Sequence, residues 1–252
     1  MRRTEGPGAH PFIAYGGSMK RIYVPTQSGT DWQRLLAKPK LHWKKGRSAM
    51  SAAACWEQNH PHLPSEISAL LDSSNDPAVS SLDLLLAIPE WAVALPGDET
   101  SSKTDVMAIC RNDAGLVIVG VEAKMDETFG PTLAEKKAKA TSGQLERIAF
   151  LEMELGRTSP CGDEIRYQLL HRTVSALLTA RAFHAPVAVM LVQSFSPVSK
   201  WNEDFAAFCA AHACNQLAPN LFEVLGVTGP RLIVGWCQGD AKYLDVELPS
   251  AF

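Results

Sequence analysis

Two β-rich runs, Val106-Met107-Ala108-Ile109-Cys110 and Leu116-Val117-Ile118-Val119-Gly120-Val121, are separated by only five residues, Arg111-Asn112-Asp113-Ala114-Gly115. Asn, Asp and Gly are hairpin-turn chemistry, because they tolerate the backbone angles that a tight reversal needs. The segment therefore sets an antiparallel pair of strands at the centre of the chain. With Asn112 to Gly115 as a four-residue loop, Arg111 faces Leu116, and counting outward by equal steps puts Asp105 directly opposite Glu122.

The second run is apolar on both faces, with Leu116 and Ile118 on one side and Val117, Val119 and Val121 on the other, so it reads as a central, buried strand. Side chains alternate along a strand, which places Lys124 on the side of Glu122 and Ala123 on the other, its carbonyl near the carboxylates. A Glu and a Lys two apart on a solvated strand would be an ordinary ion pair. At the end of a buried strand the same charges call for a partner or a function. Like charges opposite each other across two strands destabilise the pair, and a bound cation would offset that. Oxygen ligands suit Mg²⁺ or Mn²⁺ better than zinc.

An acid at 105, a tight turn and Glu122-Ala123-Lys124 resemble the PD-(D/E)XK nuclease superfamily, over about the middle half of the chain. The resemblance implies an α/β fold, a restriction endonuclease-like mixed central sheet flanked by helices. It implies Asp105 and Glu122 as metal ligands with the Ala123 carbonyl beside them, and Lys124 orienting or activating the attacking water. Thr104 stands where the family often has Pro. The family also expects a preceding helix whose Glu can join the site. Residues 48–57 supply an alanine-rich helix with Ser48 as its N-cap, Glu57 as the extra carboxylate and Glu66 as its rival. A helix after the Glu-x-Lys strand should bring a polar side chain. Gln144 is the choice from residues 143–155, and Gln168 and Arg172, four apart on one face, are the alternative. Beyond the superfamily, blocks such as Tyr23-Val24-Pro25-Thr26, Phe129-Gly130-Pro131-Thr132 and Tyr167-Gln168-Leu169-Leu170-His171-Arg172 resemble a group of uncharacterised bacterial proteins of the same type. That likeness brings no substrate with it.

The function implied is metal-dependent hydrolysis of nucleic-acid phosphodiesters, with DNA the favoured substrate. The alternatives are a non-catalytic binding or interaction protein on the same fold and, third, hydrolysis of a small phosphoester. Nucleases of this type often cut as homodimers, so a homodimer is a further expectation.

Length and charge set the frame. The 252 residues suit one elaborated domain: residues 1–18, rich in Gly and Pro, as a flexible N-terminal extension, and 19–252 as a single domain with an N-terminal helical elaboration. No apolar run approaches the roughly twenty residues of a membrane span, no signal peptide opens the chain, and mean hydropathy is -0.05. A cytoplasmic location without membrane contact is the expectation. Six cysteines without a CxxC pair read as free thiols. Net charge is -3, yet through Arg47 ten Lys and Arg stand against two Asp and Glu, a local balance of +8. This basic arm, with Lys38, Lys40, Lys44, Lys45 and Arg47 near Trp32, His42 and Trp43, is suited to a phosphate backbone.

Elsewhere the pattern predicts a short helix over 31–37, helical segments at 64–71 and 82–88, a first core strand at 90–95, and a long helix over 163–183. It predicts strands at 21–24, 187–192, 221–225, 232–236 and 243–248, and a helix at 202–213. Phe129-Gly130-Pro131 is expected as a loop at the mouth of the site.

Overall fold

β2 (Ser102–Asn112) and β3 (Gly115–Lys124) form the antiparallel hairpin. The reversal is tighter than a four-residue loop. Asn112 pairs with Gly115, so Asp113 and Ala114 alone make the turn, the Asn112 Oδ1 accepts from the Ala114 N–H at 2.9 Å, and Gly115 takes a φ of +133°. The register is nevertheless the expected one: Arg111 faces Leu116 and Val106 faces Val121.

The computed structural model describes Thr26 and residues 28–97 and 99–252. The strand expected at 21–24 and the extension over 1–18 lie outside the described residues. The hairpin belongs to a seven-stranded mixed sheet of order β1-β2-β3-β4-β7-β6-β5, with β1 Asp83–Val93, β4 Val187–Ser194, β5 Asn215–Ala218, β6 Leu221–Val224 and β7 Arg231–Gln238. β3 is interior, antiparallel to β2 and parallel to β4. Two sequence expectations change here. Residues 82–88, expected helical, form the first half of β1; a run of five apolar residues fits either state, and pairing with β2 decides it. Pro89 is compatible with that strand because β1 lies at the sheet edge. Residues 243–248 do not form a strand; a 3₁₀ helix at Ala241–Leu244 begins there, with the Asp240 carboxylate accepting from the Lys242 N–H at 2.9 Å. The polar strand β5 carried no alternating apolar signal.

Helices cover both faces. α2 (Ser48–Asn59) and α3 (Ser65–Asp72) pack Met50, Trp56, Ile67 and Leu71 against Val106, Val119 and Leu191. On the other face α5 (Ser142–Glu154), α6 (Tyr167–Ala182) and α7 (Asn202–Ala211) pack Leu151, Leu170, Val174 and Phe208 against Met107, Ile118 and Met190. Two short helices, α1 (Pro39–His42) and α4 (Leu133–Lys137), sit in the connections. The short helix expected at 31–37 is a 3₁₀ turn at Gly29–Leu35. α6 begins at Tyr167 rather than Asp163, because the carbonyls of Ile165 and Asp163 accept from the Leu133 and Ala134 N–H groups at 2.8 and 3.0 Å and satisfy the start of α4. Ser48 is not the N-cap of α2; that position falls to Arg47, and the Ser48 hydroxyl donates to Glu127 at 2.9 Å.

Two close approaches fix the layers around the sheet. A Cβ at Gly120 would come within 3.3 Å of the Ala176 Cβ, so α6 lies close against β3. Gly97, with φ +78°, and Gly143 meet backbone to backbone, and a Cβ on Gly97 would stand 2.0 Å from the Gly143 carbonyl oxygen. Arg147 locks the same joint by donating to the carbonyls of Leu95, Pro96 and Thr100 at 2.9, 2.8 and 2.9 Å. No helix among the described residues is long and apolar enough to cross a membrane.

Candidate functional site

Three carboxylates fall in a row across β1, β2 and β3. Val106 opposite Val121 sets Asp105 across from Glu122. Pro89 opposite Val106, with Trp91 opposite Thr104, sets Glu90 across from Asp105. Glu90 holds a φ of +53°, a left-handed conformation costing a non-glycine residue on the order of 1–2 kcal/mol. All three acids line one cavity of about 600 Å³.

The two ends of the row differ electrostatically. Glu122, only 3% exposed, is surrounded by donors: its Oε1 accepts from Lys124 Nζ at 2.6 Å and from Gln168 Nε2 at 2.7 Å, and its Oε2 accepts from Arg172 Nε at 2.5 Å. Burial opposes its charge, but Arg172 and Lys124 outweigh burial and hold its pKa down at about 2. Among the described residues Asp105 has no such cation in contact; its Oδ2 accepts from the Ala123 N–H at 2.8 Å. Burial first, then the charges of Glu122 and Glu90, push its pKa well above the usual carboxylate range. Burial likewise raises Glu90 to about 7, against the pull of Lys103 and Arg172.

Helix α6 supplies the opposite wall. Gln168, His171 and Arg172 share one face because they are three and four apart, and all three line the cavity. Gln168 also accepts from Lys124 Nζ at 3.1 Å. Arg172 Nη1 donates to the Ser102 hydroxyl at 2.9 Å, and that oxygen lies 2.9 Å from His171 Nδ1. The same guanidinium nitrogen is 3.5 Å from Nδ1. A guanidinium only donates, so Nδ1 must be the acceptor, Ser102 gives it its proton, and His171 carries its own proton on Nε2. Burial and then the Arg172 charge hold the His171 pKa well below its ordinary value. The imidazole is a neutral donor in the cavity wall.

Of the residues named from sequence, Asp105, Glu122, Ala123 and Lys124 come together, and Gln168 and Arg172 join them from α6. Glu57 does not: its carboxylate accepts from Trp32 Nε1 at 2.9 Å and from the Thr26 hydroxyl at 3.3 Å, and it borders a separate, smaller depression. Glu66 accepts from Gln193 Nε2 at 2.8 Å in the core beneath α2. Gln144 closes the capping box of α5 with Thr141. Glu90, Ser102 and His171 escaped the sequence reading. Glu90 becomes visible once residues 83–93 are read as a strand paired with β2, and His171 from its i, i+3 spacing to Gln168.

The row offers a cation limited but suitable oxygen. Among the described residues, no group of three or more His, Cys, Asp or Glu side chains is spaced to hold a metal by itself. Mg²⁺ commonly takes one or two carboxylates and keeps several waters. A carboxylate has about four lone-pair sites; the donors named above occupy three on Glu122, which leaves one on Oε2, and Asp105 Oδ1 is not the oxygen that Ala123 uses. Asp105 with Glu122 therefore fits a hydrated divalent ion.

The Phe129-Gly130-Pro131 loop borders the cavity as expected, with Lys124 Nζ 5.1 Å from the centre of the Phe129 ring. Across from it Trp32, His42 and Trp43 contribute the wall formed by the basic arm. No curated protein and no solved structure matches the chain. The model of one family matches residues 25–241, a span that contains the acidic row, Lys124 and the polar face of α6. The chain belongs to that family, described as Domain of unknown function (DUF6946).

Proposed function

We propose that this protein is a divalent-metal-dependent nuclease, hydrolysing nucleic-acid phosphodiester bonds and DNA above all, on a restriction endonuclease-like α/β domain. The observation that carries the reading is that Asp105 and Glu122, each one residue beyond the last paired residues Val106 and Val121, line one cavity with Lys124, whose Nζ is 2.6 Å from Glu122. Asp105 and Glu122 would hold Mg²⁺ or Mn²⁺, with the Ala123 carbonyl as a further oxygen. When bound, such an ion supplies a Lewis acid and lowers the pKa of its water.

The chain's own residues do the rest. Lys124, fixed between Glu122 and Gln168, places a positive charge where negative charge develops on the phosphoryl oxygens. Arg172 keeps Glu122 ionised and so keeps it a ligand. His171 offers a neutral N–H to a substrate oxygen. Phe129 covers one side of Lys124 and limits water around it.

A second reading has one observation in its favour. Glu122, Lys124, Arg172 and Gln168 satisfy each other without a metal, as they would in a binding protein that uses this fold without catalysis. Mn²⁺ binding separates the two. An ion that binds only the folded state at a hundredfold excess over its Kd adds about 2.7 kcal/mol, so Mn²⁺ should raise the melting temperature of the wild type and leave Asp105→Asn unmoved. Equal shifts in both proteins, or none in either, would favour the binding protein.

A further inference from the structure

The reacting groups are recessed. Glu122, Ala123 and Lys124 are 3, 2 and 5% exposed, so a phosphate reaches them only by entering the cavity. At about 600 Å³ that cavity has the size of a small-molecule site. A cavity of that order takes a nucleotide-sized group rather than a base-paired helix. The enclosure is tied shut along one side: Arg47 pairs with Asp126 and the Ser48 hydroxyl donates to Glu127, joining the start of α2 to the loop after β3.

The lining combines apolar side chains with the acidic row, and a basic segment adjoins it in the chain. Lys38, Lys40, Lys44 and Lys45 are all exposed, flank the wall residues Ala37, His42 and Trp43 in the chain, and make no ion pair among the described residues. Trp32, Leu36, Ala37, Trp43, Ala49 and Ala52 make an apolar wall. Its indole N–H groups and the neighbouring Ser48 hydroxyl are committed elsewhere, Trp32 Nε1 to Glu57, Trp43 Nε1 to the Pro249 carbonyl and Ser48 to Glu127, and the His42 imidazole also borders it. A 2′-hydroxyl against this wall would find few partners, and that hydroxyl is the group by which proteins tell RNA from DNA.

From this arrangement we infer that the cavity admits single-stranded DNA, as an unpaired end or a gap, with a nucleotide against the apolar wall and the flanking phosphates on the four lysines that adjoin that wall in the chain. Intact duplex is excluded. The inference rests on the nuclease reading for its chemistry, but its binding content stands apart from cleavage.

The experiment uses a fluorescein-labelled single-stranded DNA 20-mer, its blunt duplex and the RNA of the same sequence. Anisotropy with Asp105→Asn protein measures binding across a salt series, and wild-type protein with Mn²⁺ measures cutting. The single strand should bind at least tenfold more tightly than duplex or RNA. Four neutralised phosphates predict a log–log salt slope of about -3, and Lys40→Ala with Lys44→Ala should reduce its magnitude by about 1.4. Duplex bound and cut as readily as single strand, or RNA bound equally well, overturns the inference and leaves the nuclease reading standing. Tight single-strand binding without any cutting supports the inference and sinks the nuclease reading. Failure to bind any of the three overturns the inference.

Discussion

Glu90 and Asp105 both sit between the paired residues Pro89–Val106 and Trp91–Thr104 of the β1–β2 ladder, and both hold their protons more tightly than ordinary carboxylates. One strand further along, Glu122 is held ionised by Arg172 and Lys124. The row is thus neutralised by the chain at one end and short of positive charge at the other.

That shortage predicts how stability follows pH. Glu90 rises from an unfolded value of 4.5 to about 7 in the folded protein. A raised pKa means the folded state binds the proton more tightly. The stability it contributes is full below 4.5 and is lost as pH climbs through about 7. The loss is bounded at about 3 kcal/mol by the size of the shift. Melting curves at pH 5 and pH 8 without metal should show Glu90→Gln gaining stability relative to the wild type as pH rises.

His171 is predicted to stay neutral, with its proton on Nε2, where an ordinary histidine is already charged. Its folded pKa is depressed, so the stability it contributes is present above the ordinary His value and is lost as pH falls below it. Nitrogen-15 NMR of the imidazole should show an unprotonated Nδ1. Ser102→Ala removes the hydroxyl that donates to Nδ1 and should shift that resonance. An imidazolium signal at pH 6 would contradict the assignment.

Lys124 and Arg172 are poor first choices for testing chemistry, because each neutralises a buried carboxylate. Removing one partner of a buried ion pair costs about 3–5 kcal/mol. Arg172→Gln should therefore lower stability by that order, and combining it with Glu122→Gln should recover much of it. Chemical denaturation of Arg172→Gln, Glu122→Gln and the double variant measures the coupling.

The Gly97–Gly143 joint should tolerate no side chain. Gly97→Ala places a Cβ 2.0 Å from a backbone oxygen at a positive φ, and the backbones must part. Arg147→Ala strips donors from three carbonyls, at roughly 1–3 kcal/mol for each one left buried without a partner. Both variants should melt well below the wild type, whereas Gln144→Ala, which removes one side of a capping box, should cost about 1 kcal/mol.

The parts of the site legible in the sequence are those set by local rules. Turn residues at 112–115 and period-two alternation fix the β2–β3 register, and hence Asp105, Glu122 and Lys124. Spacing on α6 groups Gln168 with Arg172. Glu57 and Gln144 show where local rules stop: each lies in a helix the sequence predicts, but tertiary packing decides which way a helix turns, and Trp32 and Thr141 claim those side chains instead. Glu90 was hidden for a different reason. The sequence puts Glu90 at the start of an expected strand, but nothing local says which strand it pairs with, and only the β1–β2 register carries it to its place beside Asp105.

Cleavage of a labelled single-stranded DNA with Mn²⁺, wild type against Asp105→Asn, tests the central claim most directly. Asp105 carries no ion pair whose loss would unfold the site, so the variant should remain folded. Cutting by the wild type that requires Mn²⁺ and disappears in Asp105→Asn is the result predicted. Undiminished cutting by a folded Asp105→Asn protein, or no cutting by wild type of any nucleic acid, would contradict it.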